Sequence, residues 1–125
     1  MMFRYPEVLL DVAEAYMRLS APDNVKALAL VNQIRIARGA YVVAALPLNP
    51  SAGAGRSLVD DPNCLLAERG RELYLESNRR TDLIRFGVFL TPWQYKPTDD
   101  PKYLLFPVPS QALGVNPNLV QNPGY

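Results

Sequence analysis

The chain has 125 residues, with 13 Lys plus Arg against 12 Asp plus Glu and a formal net charge of +1. That balance gives no electrostatic case for nucleic acid or for an anionic membrane surface. Histidine is absent and Cys64 is the only cysteine, so the chain holds no Ser-His-Asp triad, Cys-His pair, His-ligated metal, intrachain disulfide or cysteine zinc cluster.

The length suits one domain with one modest core. No stretch approaches the roughly twenty apolar residues that span a bilayer, and Met1-Met2-Phe3-Arg4-Tyr5-Pro6 lacks the basic and apolar regions of an export signal. Two readings stay open at this point. The chain is cytoplasmic, or it is a fragment without its export signal and lipid-anchor cysteine.

A first helix is predicted from Pro6 to about Leu19. Pro6 suits a first turn, where a missing N–H costs nothing. Leu9, Val12, Ala13 and Tyr16 form one stripe, with Asp11 and Glu14 on the other side. Ser20-Ala21-Pro22-Asp23 breaks this helix, and Asp23 or Asn24 caps the next. The second helix runs to about Arg38 with Ala27, Leu28, Val31 and Ile34 as its apolar face. Arg35 and Arg38 favour its negative end, and Gly39 is a left-handed stop. The short break predicts an antiparallel αα-hairpin of tetratricopeptide type. There is no second copy at that period, and one pair cannot bury both its faces.

Tyr41 to Leu48 reads as a strand or a tucked loop. Asn49-Pro50-Ser51-Ala52-Gly53-Ala54-Gly55 is loop by composition. It lacks the phosphate-loop pattern. Asp61-Pro62 then starts a long third helix carrying Leu65, Leu66, Arg69, Leu73 and Glu76. A short helix follows over roughly Thr81 to Phe86 and stops before Gly87. Seven of the 12 prolines lie in residues 92–125, yet that region is rich in large apolar side chains. It reads as an ordered, irregular strap, with Tyr103, Phe106 and Leu119 buried against the helices. Deleting residues 116–125 would then destabilise those helices. The fold class is all-α: a tetratricopeptide-like hairpin, one further long helix, a short helix and the proline-rich strap.

Two constellations could carry chemistry. Glu68, Glu72 and Glu76 lie at i, i+4 and i+8, the spacing of a carboxylate pair for glycoside hydrolysis. Arg69, Arg71, Arg79 and Arg80 are close in sequence, so a structural salt-bridged stripe is the reading adopted. Trp93, Tyr95 and Tyr103 could stack on sugar rings, although anchoring the strap is the simpler role for them. Arg35, Arg38, Arg79, Arg80 and Arg85 are interleaved with acids and make no basic face.

The run Glu68-Arg69-Gly70-Arg71-Glu72-Leu73, then Arg79-Arg80-Thr81-Asp82-Leu83, then Leu105-Phe106-Pro107-Val108-Pro109, Asn116-Pro117-Asn118-Leu119 and the ending Gln121-Asn122-Pro123-Gly124-Tyr125 resembles the C-terminal portion of the SusD/RagB-like family. The opening Arg4-Tyr5-Pro6-Glu7-Val8-Leu9-Leu10-Asp11 is similar to the helix that precedes those motifs. Arg80-Thr81 stands where many relatives carry an aromatic before the aspartate. The resemblance implies a non-catalytic, surface-exposed lipoprotein of the outer membrane, with the anchor outside this chain and no cofactor. It implies an oligosaccharide or peptide ligand, contacted mostly by upstream segments, and delivery to a SusC-like TonB-dependent transporter. Residues 1–125 would then be the C-terminal domain of a longer protein, and the isolated chain is expected to self-associate through the uncovered hairpin. The rival reading is a helical-hairpin scaffold for protein partners. An upstream export signal with a lipobox cysteine would separate the two.

Overall fold

The first two helices form because each carries apolar residues at helical spacing between recognisable end signals. α1 spans Tyr5–Met17, with Pro6 in its first turn. α2 spans Asn24–Ala37; its N-cap Asp23 accepts from the Lys26 N–H at 3.0 Å. Gly39 closes α2 at φ +70°, a conformation that costs glycine little. The computed structural model describes residues 3–48, 63–92 and 96–125. α3 spans Leu65–Glu72, α4 Arg79–Arg85 and α5 Ser110–Val115, with a 3-10 turn at Pro101–Leu104. The architecture is all-helical among the described residues. α1 packs on α2 and on α3, and α3 packs on α4.

The core lies where α1, α2 and α3 meet. Leu10, Val31, Leu65 and Leu66 are fully buried, and Leu83 and Phe86 join the same buried cluster. Each large side chain removed from water contributes roughly 1.5–3 kcal/mol. The buried face of α1 is not the expected stripe. Leu9, Leu10 and Ala13 are buried with Glu7 and Glu14, while Val12 is 40% exposed. The helix is turned by about a quarter, at 100° per residue. Glu14 faces inward because Arg18 and Arg85 pair with it there.

Tyr41 to Leu48 is a tucked loop. The Asn32 side chain accepts from the Val43 N–H at 2.9 Å and donates to its carbonyl at 3.0 Å. The Leu65 N–H donates to the Pro47 carbonyl at 2.9 Å, and Leu46 is buried. Residues 49–55 and the Asp61-Pro62 helix start lie outside the described residues. Within them, Cys64 caps α3, its Sγ accepting from the Ala67 N–H.

α3 stops four residues earlier than its carboxylate spacing suggests. Arg4 donates through Nη2 to the Glu72 carbonyl at 2.7 Å and satisfies one of the last open acceptors. The chain then turns through Leu75 at φ +62° and Ser77 at φ +65°, left-handed positions that cost non-glycine residues about 1–3 kcal/mol each.

The strap corrects the burial expectation. Tyr103 is 45%, Phe106 72% and Leu119 41% exposed. The segment folds largely on itself. Gln121 accepts from the Val108 N–H and donates to its carbonyl; Asn122 donates to the Phe106 carbonyl; the Tyr125 hydroxyl donates to the Leu105 carbonyl. Side-chain amides here satisfy backbone groups that a proline-rich segment cannot pair in a regular ladder. Burial against helices is therefore not what holds it.

Candidate functional site

The glutamate stripe is part of a charge lattice between α1, α2 and α3. Glu68 accepts from Arg35 at 2.7 Å and also pairs with Arg71. Glu72, whose side chain is nearly buried, accepts from Arg38 at 2.6 Å and from Arg4 at 3.1 Å. Glu76 lies beyond α3 and pairs with Arg4. The hydrogen bonds from Arg38, ahead of those from Arg4, hold the Glu72 carboxyl below the usual carboxylate range despite its burial. Both arginines are raised in turn. A carboxylate held ionised by two guanidiniums is poorly suited to donate a proton as a general acid. The geometry favours structure over acid–base chemistry at these three positions.

A second lattice ties α3 to α4. Arg69 and Asp82 are both buried and meet at 2.9 Å; Arg69 also reaches Asp11 at 2.6 Å. Burial alone would lower the Arg69 guanidinium, but Asp82 and then Asp11 outweigh it and hold it raised. Arg85 bridges Asp82 and Glu14. Among the described residues, no buried side-chain nitrogen or oxygen is left without a hydrogen-bond partner.

Arg79 is the departure. Its Nη1 donates to the Leu66 carbonyl at 2.9 Å, and no carboxylate among the described residues pairs with it within 4 Å. Burial pushes its guanidinium below the ordinary value. It lies flat on α3 at Gly70, where a Cβ would come within 2.7 Å of Nη1. Arg79 therefore does not join the arginine–glutamate stripe that the sequence suggests. It lines a cleft of about 720 Å³ between α3, the turn 73–78 and α4. Leu73, Tyr74 and Leu75 form the apolar side; Ser77, Asn78, Arg69, Arg71 and Asp82 supply polar and charged groups.

Of the three aromatic candidates, Trp93 and Tyr95 lie outside the described residues. Tyr103 borders a hollow of about 370 Å³ with Arg80, Phe89, Asp99, Phe106 and Tyr125. Arg80 sits 4.6 Å from the ring centres of both Phe89 and Phe106 and donates to the Tyr103 carbonyl at 2.6 Å. The strap thus meets α4 through a cation held between two aromatic rings. The structure does not bring the glutamate stripe and Tyr103 into one pocket. Arg4 joins the lattice from 68 and 72 positions away, a pairing with no local sequence signal. A glycine in the middle of α3 was the visible sign that a side chain approaches closely there.

A family model described as the SusD family matches residues 1–103. The chain belongs to the SusD family. The starch-binding protein SusD of Bacteroides thetaiotaomicron is 39% identical over 70 residues, an alignment that takes in 49% of this chain and 13% of that relative. Membership extends across α1 to α4 and through most of the 3-10 turn. Glutamates and arginines within the matched residues lock its helices together. No helix among the described residues is long and apolar enough to cross a membrane. No group of three or more His, Cys, Asp or Glu among them is arranged to hold a metal ion.

Proposed function

We propose that this chain is the C-terminal portion of a cell-surface lipoprotein that binds a glycan, or a peptide, and delivers it to a SusC-like TonB-dependent transporter in the outer membrane. The family match over residues 1–103 carries the reading. The starch-binding relative supports a glycan ligand. In this reading the portion is non-catalytic. The carboxylates of Glu68, Glu72 and Glu76 are committed to arginines, and its task is to brace the helical scaffold that positions a ligand site built upstream. Tyr103, the aromatic candidate that lies among the described residues, is half-exposed, which is compatible with a stacking role.

The test is made on the natural gene product. Cell fractionation with surface proteolysis should place it on the outer face of the outer membrane. Pull-down should recover a TonB-dependent transporter, and affinity electrophoresis in polysaccharide gels should show retardation. A cytoplasmic product that binds no glycan or peptide and recovers other protein partners would establish the rival scaffold reading.

A further inference from the structure

The proline-rich strap ends on a turn that brings one more aromatic ring back to α4. Gly124 stands at φ +89°, and a Cβ there would lie 3.0 Å from the Lys102 side chain. Glycine lets the terminal turn pass this close to the 3-10 turn. The Tyr125 hydroxyl then reaches the Leu105 carbonyl at 3.1 Å and the Lys102 carbonyl at 3.3 Å. Its ring joins Phe89, Tyr103 and Phe106 around the hollow of about 370 Å³, near the lower end of the range for small-molecule pockets, roughly 300–1,000 Å³. Rings that serve only as anchors are buried. Here Tyr103 and Tyr125 are half-exposed and Phe106 is mostly exposed. Arg80 covers one face of Phe106, and Lys102 one face of Tyr103, which leaves each ring a second face.

Two charged side chains, Arg80 and Asp99, and the apolar Leu105 complete the lining. Arg80 donates through Nη2 alone, to the Tyr103 and Leu104 carbonyls, so its Nε and Nη1 meet no acceptor among the described residues. Asp99 gives Oδ2 to Lys96 at 2.8 Å and keeps Oδ1. One charge of each sign in the lining favours a neutral occupant over an anion or a cation. An extended peptide is held largely through backbone hydrogen bonds. The carbonyls of Tyr103, Leu104, Leu105 and Phe106 are already taken by Arg80, Tyr125 and Asn122. Ring faces, a guanidinium edge and one carboxylate oxygen stay available. Those groups suit a sugar, whose C–H face lies on a ring while adjacent hydroxyls, each donor and acceptor, bond to the charged pair.

We propose that this hollow is a sugar subsite carried by the strap itself. It takes one neutral hexopyranose unit of a glycan against Tyr103 and Phe106, with the hydroxyls of that unit on Arg80 and Asp99. The inference rests on the reading that the whole protein binds a glycan. It adds to that reading a second contact point, away from the upstream segments. A chain long enough to reach both would be held more tightly than by either alone, because the second contact forms at high local concentration.

The natural gene product, purified whole, provides the test, with maltoheptaose, cellohexaose and mannohexaose as neutral probes and polygalacturonate as the anionic one. Calorimetry is expected to show binding of at least one neutral probe, with Kd raised about tenfold by Phe106→Ala, the loss of one stacking face. Asp99→Asn leaves the rings and the Arg80 contacts in place. It should raise Kd about tenfold as well, and it decides the matter if Phe106→Ala fails to fold. Hydroxyl-radical footprinting separates direct contact from an indirect effect of either variant. A saturating neutral probe should slow oxidation of Tyr103 and Phe106 several-fold relative to Tyr41. Unchanged rates at both rings overturn the inference, whatever the variants do to affinity. So does protection by polygalacturonate or by a proline-rich peptide in place of the neutral probes. Binding of none of the three neutral probes overturns it too, while retardation in the polysaccharide gels decides separately whether the family reading stands.

Discussion

Gly70 and Arg79 show how one residue without a side chain can set a helix contact. Glycine inside a helix costs roughly 0.5–1 kcal/mol relative to alanine, so Gly70→Ala would ordinarily stabilise α3. Here the new Cβ meets the Arg79 Nη1 at 2.7 Å and displaces its bond to the Leu66 carbonyl, a charged hydrogen bond worth about 1.5–3 kcal/mol where it is shielded. Arg79 is only half-buried and its tip can move, so the net loss is expected to be small, about 0.5–1 kcal/mol. In an Arg79→Met background the sign should reverse. Urea unfolding of the four-member cycle checks this; the same sign in both backgrounds removes the notch from the account. Glu72 gives the corresponding pH statement. Arg38 and Arg4 hold its folded pKa below the ordinary 4.5, so its contribution is complete above that value and is lost as pH falls towards the folded pKa. Unfolding free energy should be level from neutrality to about pH 5 and fall below pH 4.5, with a shallower acid limb in Glu72→Gln. An acid limb unchanged by that substitution would place the titration elsewhere.

Helix ends and local caps were legible in the sequence, and long-range charge pairing was not. Asp23, Gly39 and Gly87 act at α2 and α4 as their residue types suggest, because capping is decided within a few residues. The face of α1 was misplaced because Glu14 counts as polar in any periodicity, while its neutralisation by Arg85 comes from 71 residues away. α3 reads as longer for the same reason, since the guanidinium that terminates it belongs to Arg4. In the strap, composition suggested large apolar anchors, but hydrogen bonds from Gln121, Asn122 and Tyr125 close the segment on itself. The consequence of truncation changes accordingly. Removing residues 116–125 takes away those three side chains and leaves Arg80, which links the strap to α4. Amide exchange should rise sharply over residues 102–109, and α1 and α2 should keep their protection. Faster exchange at Leu10 and Val31 in the truncated chain would show that the tail does brace the core.

Across the whole molecule, burial is one-sided. The Leu10, Val31 and Leu65 side is closed, while Val25 is 80%, Ile36 65%, Tyr41 93%, Tyr74 74% and Leu75 85% exposed. One helical pair cannot cover both its faces, and exposed apolar surface in this amount usually marks an interaction face. Charge offers little protection, because a net +1 gives weak repulsion between copies. The 125-residue chain alone is therefore expected to self-associate in the micromolar range, driven by apolar burial and strengthened by salt through weaker hydration of that surface. Sedimentation velocity across a concentration series checks this, with a hydrophobe-binding dye as the second readout. Val25→Asp with Ile36→Asp places charge on the outer face of α2, away from the buried Ala27, Val31 and Ile34, and should shift the distribution towards monomer without loss of helix. Tyr74→Ser with Leu75→Ser tests the cleft side in the same way. A clean monomer at high concentration with no dye binding would mean that the exposed residues do not form a sticky face. Failure of both variants to alter association would move it to a surface other than α2 or the α3–α4 cleft.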